Sequence, residues 1–464
     1  MQKEFFPVQT SPFFNLFFLL ILVQPALAQP TKLSLKDLLQ KVQANLPILE
    51  AYRQQAIAAR QNIQLTKNNV VPELTAGYQI NMATFNNITG MSYPGFLLPV
   101  SGPPSQNNDL NFVPGSALGA LVKWNPFSFG QRNASIEKAT AQFKQANAVY
   151  NEQLFQYQYS AVNIYLEAVY FQRVTNSMQA GIDRNRVGLE QSLILAVNGL
   201  KAGIDTAQFQ SAIAQAEIDL LQTEQTYGQK LTELTRLIGD VNPGDELSLS
   251  DTAFTQAIVL STDTTFLARQ HPYYLTLEAQ KNTAAAELKE IQKSWVPQLD
   301  IWGNLYARGS GINELGQINK SDGFNLSRTN LGAGLQLAFP VLQFTRVNIK
   351  KKQYLSLLKA NEAKLAQAQL DIGKQIETAM IQYRENVKIA GKTPILLKSA
   401  NDVYEGLKLS YETGLIDYTR LSQAQYELLK AEVSDANARL QVWRSLLAVA
   451  VAKGNLGLFI DQLR

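Results

Sequence analysis

The chain carries the same series of proline signals twice. Asn45-Leu46-Pro47 leads to Val71-Pro72, and Gln270-His271-Pro272 leads to Val296-Pro297, with 25 residues from Pro to Pro each time. An alternating segment follows each second proline. Trp124-Asn125-Pro126 then reaches Arg132 in six steps, as Ala338-Phe339-Pro340 reaches Arg346, and Gly203 in KAGID answers Gly414 in ETGLID. A repeat this long is a duplicated unit and not a solenoid of short repeats. Two similar halves are expected, 29–240 and 261–464, joined by a connecting segment at 241–260.

Proline is absent from Phe127 to Asn242, 116 residues, from Val341 to Thr393, and after Pro394. Proline costs about 3 kcal/mol in a helix interior, so these stretches permit very long helices. Apolar residues recur in them at 3/4 spacing: Phe209, Ile213, Ala216, Leu220, Tyr227, Leu231, Leu234 and Ile238, with one polar gap at Thr223. Leu421, Ala424, Leu428, Ala431, Ala438, Val442, Leu446 and Val449 repeat the pattern, interrupted at Asp435. Narrow stripes with small residues suit closely packed antiparallel helices. Gly199, Gly203 and Gly414 mark where such helices turn or break.

The alternating segments predict four strands, about 72–85, 111–124, 298–308 and 329–339. Leu74, Ala76, Tyr78, Ile80 and Met82 alternate with polar or small residues that include Gln79 and Asn81. Leu331, Ala333, Leu335 and Leu337 alternate with Asn330, Gly332, Gly334 and Gln336. The lengths approach the ~9–11 residues with which a tilted strand crosses a bilayer. A small soluble sheet would alternate equally well. The Gly/Asn/Gln/Thr composition of the polar face favours a wet lumen, lined by Gln79, Asn81, Asn330 and Gln336. Trp124, Trp295 and Trp302 lie where interfacial aromatics belong. The segments 86–110 and 309–328 read as long exposed loops. Four strands cannot close a barrel, and an open edge cannot sit in lipid, so several chains would have to share one.

The first 28 residues read as a secretory signal peptide: Lys3, an apolar run from Phe13 to Val23 broken by Asn15, then the cleavage site Ala26-Leu27-Ala28. A short membrane anchor is the alternative. With no Cys and one His among 464 residues, disulfides, thiolate metal sites and His-pair zinc sites are excluded. His271, just before Pro272, reads as a surface or capping residue, since no catalytic constellation accompanies it. Lys+Arg at 42 against Asp+Glu at 38 argues against a nucleic-acid partner. No cofactor, metal or enzymatic activity is expected.

In the order and double occurrence of these signals the chain resembles the TolC-like outer-membrane efflux protein family, the outer membrane factors. The resemblance rests on the duplicated N-x-P/H-P…VP signals at Pro47–Pro72 and Pro272–Pro297. It also rests on WNPFSFGQR at 124–132, FPVLQFTR at 339–346 and the Tyr-x-x-Gly-Leu signal at Tyr411–Leu415. It implies a mainly α fold with a β membrane part: a long antiparallel helical barrel, and four strands per chain in a 12-stranded barrel shared by a homotrimer. The implied function is a passive duct for small molecules or polypeptides, set in outer-membrane lipid and working with a periplasmic adaptor (membrane fusion) protein and an inner-membrane pump. A soluble periplasmic coiled-coil adaptor is the alternative.

In that frame the turns at Gly203 and Gly414 lie farthest from the barrel. Asp205, Tyr411, Asp417 and Arg420 are the candidate aperture residues, with Asp417 pairing Arg420 and Tyr411 hydrogen-bonding to a neighbouring helix. Gly203, Ile204, Gly414, Leu415 and Ile416 form the tip that an adaptor would contact. Several family members place carboxylates six and nine residues after the turn glycine. Here those positions hold Phe209 and Ala212, and Arg420 and Gln423.

Overall fold

The computed structural model describes residues 31–84, 86, 107–199, 203–239, 247–249, 268–340 and 342–463. The expected signal peptide and most of the 241–260 segment lie outside these residues. Strand β1 (Thr31–Leu33) is followed by helices α1 (Leu35–Asn45) and α2 (Pro47–Asn68), strands β2 (Glu73–Ala83) and β3 (Val113–Phe127), and helices α3 (Gln131–Val197) and α4 (Ile204–Leu237). After β4 (Leu247–Leu249) the pattern returns as α5 (Pro272–Gln292), β5 (Gln298–Ser310), β6 (Arg328–Ala338), α6 (Gln343–Ala390), α7 (Thr393–Glu412), α8 (Tyr418–Ala452) and α9 (Gly457–Ile460).

The proline-free stretch folds as expected. α3 runs unbroken for 67 residues, about 100 Å at 1.5 Å per residue. Its counterpart in the second half is divided, because the chain turns at Gly391-Lys392 and restarts at Thr393-Pro394, with proline in the first turn of α7 where no intrahelical N–H is needed. This break explains Asp435 in the apolar stripe of α8. Its buried carboxylate accepts from the Thr393 hydroxyl at 2.8 Å and from Arg439 Nε at 2.9 Å, with Arg173 of α3 at 3.6 Å. The charge ties the start of α7 to α8 and α3.

Pro47 and Pro272 open α2 and α5 in the same way. His271 caps α5. Its Nδ1 accepts from the Tyr273 N–H at 3.2 Å, so its Nε2 donates to the Val451 carbonyl at 3.1 Å. Burial holds its pKa below the usual imidazole value, against an opposing pull from the Val451 carbonyl. It is a structural cap and not a base.

The main core lies partway down α3. Tyr165 and Val162 meet Leu38 and Val42 of α1, Leu234 and Leu237 of α4, and Trp443 and Leu446 of α8. The Tyr165 hydroxyl donates to the carbonyl of Leu33 in β1 at 2.9 Å. β1 pairs in parallel with β4, an element absent from the sequence reading. No described helix is long and apolar enough to cross a membrane.

Candidate functional site

Two regions at opposite ends of α3 carry the residues singled out by sequence. The first is an antiparallel sheet in the order β2-β3-β5-β6. Residues paired across strands share a face, because side chains alternate along each strand. Register therefore decides whether four separate alternations make one surface, and they do. Tyr78 faces Leu118, which faces Ala307; Ala76 faces Ala120, which faces Leu305 and then Leu331; Ile301 faces both Trp124 and Leu335. This face carries no charged residue within the paired ladder. Leu331 is 84% exposed and Leu335 72%, so the surface is not the core of a single chain.

The opposite face holds Gln79, Asn81, Asn330 and Gln336, together with Asn304, Tyr306, Asp300 and Trp302. Trp302 corrects the sequence reading. It was expected among interfacial aromatics, yet it pairs with Gly334 on the polar face. A Cβ on Gly334 would meet the indole at 2.7 Å, and one on Gly332 at 3.3 Å. The Gly-x-Gly of β6 is the floor on which the ring lies. Trp124 stays on the apolar face, with its indole N–H donating to the Val70 carbonyl at 2.9 Å. Below it β3 bulges between Trp124 and Phe127, where Pro126 is tolerated. Arg132 donates to the carbonyls of Asn125 and Pro126, which accounts for the spacing of the WNPFSFGQR signal.

The segment after β5 is more ordered than a long exposed loop. A 3-10 turn at Lys320–Phe324 folds back on the apolar face, and the Ser116 hydroxyl donates to the Gly323 carbonyl at 2.7 Å. Most of the segment expected as the first loop lies outside the described residues.

The second region is the far end of the helices. Here α4 begins at Ile204, with Gly203 as its cap in a right-handed conformation, and the left-handed turn is made instead by Gly199, φ +70°. In the second half Gly414 itself is left-handed, φ +75°. Tyr411 is fully buried, and its hydroxyl donates to the Asp205 carboxylate at 3.1 Å, joining the end of α7 to the first turn of α4. Burial first, and the Asp205 charge and hydrogen bond after it, raise the phenol pKa far above its usual value. The hydroxyl therefore remains a donor throughout the physiological range.

Asp417 does not pair with the Arg420 guanidinium. Its carboxylate accepts from the Arg420 backbone N–H at 3.2 Å, capping α8, because the N-cap position aims it at an orphan donor of the first turn. The Arg420 side chain is exposed and joins no ion pair among the described residues. Ile204 is 64% exposed and Leu415 79%, whereas Ile416 is half-buried against the helices.

Beneath these residues lies an aromatic cluster that sequence reasoning missed. Phe209 is fully buried, edge-on to Tyr418 at 4.4 Å and to Tyr411 at 5.9 Å between ring centres. The position six residues after Gly203, one of those at which this chain departs from the family pattern, is thus a core position. A Cβ on Gly188 of α3 would stand 2.3 Å from the Phe209 ring. Arg184 binds both oxygens of Glu432 at 3.0 and 3.2 Å and lies 5.9 Å from the Tyr404 ring centre. The usable signal was the heptad spacing of Tyr404, Tyr411 and Tyr418.

Residues 268–455 match the family model described as outer membrane efflux protein. No curated protein matches the chain. Among solved structures, the outer-membrane channel OprN has a TM-score of 0.72 at 16% identity, over 91% of this chain and 90% of that one. CusC, described in terms of folding and transmembrane channel formation, has 0.74 at 12% identity over 92% and 93%. The outer membrane protein VceC from Vibrio cholerae has 0.68 at 14% identity over 91% and 96%. The structural likenesses extend the fold across both halves, well beyond the matched segment. The second half of the chain is thus similar to outer membrane efflux proteins, and the whole chain shares the fold of these solved outer-membrane channels.

Proposed function

We propose that three copies of this chain form one channel, a passive duct through the outer membrane that receives its cargo from a periplasmic adaptor and an inner-membrane pump. The observation that carries the reading is the sheet. It has a continuous apolar face, a continuous polar face and two open edges, β2 and β6. In lipid every backbone N–H and C=O needs a partner, and open edges can find one only in another copy. Three copies of four strands give a twelve-stranded barrel, within the range known for outer-membrane barrels. Uncharged polar residues along the long helices, as in AQFKQANAVYNEQLFQYQY at 141–159, suit a wide wet tunnel that binds passing solutes weakly. The duplicated halves, 29–240 and 261–464, would each supply two strands and one helical hairpin. Native mass spectrometry of the detergent-extracted protein is expected to show three chains; a stable folded monomer would reject the reading.

The tip is proposed as the aperture and its adaptor contact. The Tyr411–Asp205 bond would hold the two helical hairpins of one chain together, three such links standing around the tunnel axis. Arg420 and Asp417 would add charge there, and exposed Ile204 and Leu415, with Gly203, Gly414 and Ile416, would meet the adaptor. A hydrogen bond to a charged carboxylate such as this one is worth about 1.5–3 kcal/mol, so docking could undo it. The variant Tyr411→Phe, Arg420→Ser is expected to raise resting single-channel conductance. Unchanged conductance in an assembled trimer would reject the gate.

A further inference from the structure

Where the helices meet the sheet, charges are matched inside the chain and unmatched at its edges. Between α3 and α5 they cross over in reciprocal pairs, Lys138 with Glu290 at 2.7 Å and Lys289 with Glu137 at 2.5 Å. Over residues 131–144 of α3 and 283–296 at the end of α5, Glu287 is the one acid outside these pairs. The outer helices differ. Residues 58–71, at the sheet end of α2, hold Arg60 and Lys67 and no Asp or Glu. Residues 343–356, at the sheet end of α6, hold Arg346, Lys350, Lys351 and Lys352, again with no Asp or Glu. All six are exposed, and none joins an ion pair among the described residues.

In a barrel shared between copies, the β6 edge of one copy lies beside the β2 edge of the next. α6, which follows β6, then stands beside α2, which precedes β2. The two basic rows are at similar height. Arg60 is eight residues from the last of α2 and Lys350–Lys352 are seven to nine from the first of α6, about 10–14 Å from the sheet end of each helix. Buried Val347 marks the side of α6 that faces its own chain, and Lys352, five residues on, projects about 140° away from it, toward the neighbouring copy. Six basic side chains thus meet at a seam to which neither helix end brings an acid, and like charges repel. Exposed Val70, Val71, Leu342 and Phe344 lie between these charges and the sheet. Apolar and aromatic side chains above a basic row follow the order of acyl chain and headgroup in a leaflet.

We infer that each seam between copies binds an anionic phospholipid of the inner leaflet, with its phosphate held between Arg60 and Lys67 of one copy and Arg346 and Lys350–Lys352 of the next. The inference rests on the shared-barrel reading and deepens it, since the lipid then bridges two copies and supplies the negative charge that the chain lacks there. Arginine offers phosphate a two-pronged donor and lysine a point charge. α6 starts at the sheet, so its side chains lean back toward the membrane, and lysine stems carry the ammonium groups further. A basic row beside a bilayer draws anionic headgroups, and a zwitterionic headgroup, which carries its own ammonium, gains less. The attraction fades as salt screens it.

Native mass spectrometry of the delipidated trimer, with phosphatidylglycerol or phosphatidylethanolamine added at equal concentration, reads the preference directly. The temperature at which the trimer dissociates reads its effect on assembly. The native protein is expected to hold phosphatidylglycerol about tenfold or more tightly than phosphatidylethanolamine. It should also dissociate at a higher temperature with that lipid, an effect lost toward about 1 M salt. Lys350→Gln, Lys351→Gln, Lys352→Gln on one side of the seam and, separately, Arg60→Gln, Lys67→Gln on the other should each remove the preference while the trimer still forms in excess lipid. Equal retention of the two lipids by the native trimer, or an undiminished preference in both variants, would overturn the inference and leave the shared barrel intact. Equal stabilisation by inorganic phosphate would overturn it too, by making the site one for a soluble anion. If the native protein extracts as a monomer in every lipid, the barrel reading fails and the seam fails with it.

Discussion

Phe209→Ala is expected to cost about 3–5 kcal/mol of stability, the range for removing a fully buried aromatic ring. The reason is local. Phe209 fills the space left by the missing Cβ of Gly188 and packs edge-on against Tyr411 and Tyr418. Deleting the ring leaves a cavity among three helices that cannot close up, because their backbones are fixed elsewhere by Arg184–Glu432 and the Asp435 links. Tyr418→Phe is the control. It keeps the packing and removes only the hydroxyl that donates to the Gln208 carbonyl at 3.3 Å, a loss of about 0.5–1.5 kcal/mol. Urea titration of the detergent-solubilised protein compares the two. A loss below about 1 kcal/mol for Phe209→Ala would show that the cluster is not packed as described.

Leu335→Arg carries the second large effect. Leu335 lies on the uncharged face opposite Ile301, while its neighbour Gln336 faces Asp300 on the polar side. A lipid-facing arginine costs about 2–4 kcal/mol near the midplane of an outer-membrane barrel, falling toward the interfaces. Assembly into the proposed trimer should therefore fall sharply with Leu335→Arg and stay normal with Gln336→Arg, which should change conductance instead. Equal tolerance at the two adjacent positions would mean that this sheet does not lie in a membrane.

Much of the molecule was legible from local rules. Proline at the first turn of α2, α5 and α7, proline-free runs for α3, α6 and α8, and strict alternation in β2 and β6 are properties of each segment by itself. They are set by the missing N–H of proline and the periods of helix and strand. Those rules also limited the reading at the tip. Asp417 and Arg420 sit at a spacing that permits an ion pair, but the carboxylate is the N-cap of α8 and a backbone N–H claims it first. Asp435 looked like an interruption of a stripe because its partners, Thr393 and Arg173, are remote in sequence.

The sequence by itself determined where the long helices and the four sheet strands lie, their duplication and the two-sided character of each strand, since helix propensity, capping and alternation act within a few residues. The tertiary structure decided what those elements make together. Only register joined four alternations into one apolar and one polar face, laid Trp302 over Gly332 and Gly334 on the polar face, and set Arg308 against Arg328. Only helix packing brought Tyr411 to Asp205 and Phe209 to Gly188. The physical reason is that side-chain contacts between distant segments depend on relative translation and rotation of whole elements. A one-residue slip in a strand reverses every facing, and a quarter-turn of a helix replaces every neighbour, while the local pattern of either segment stays the same.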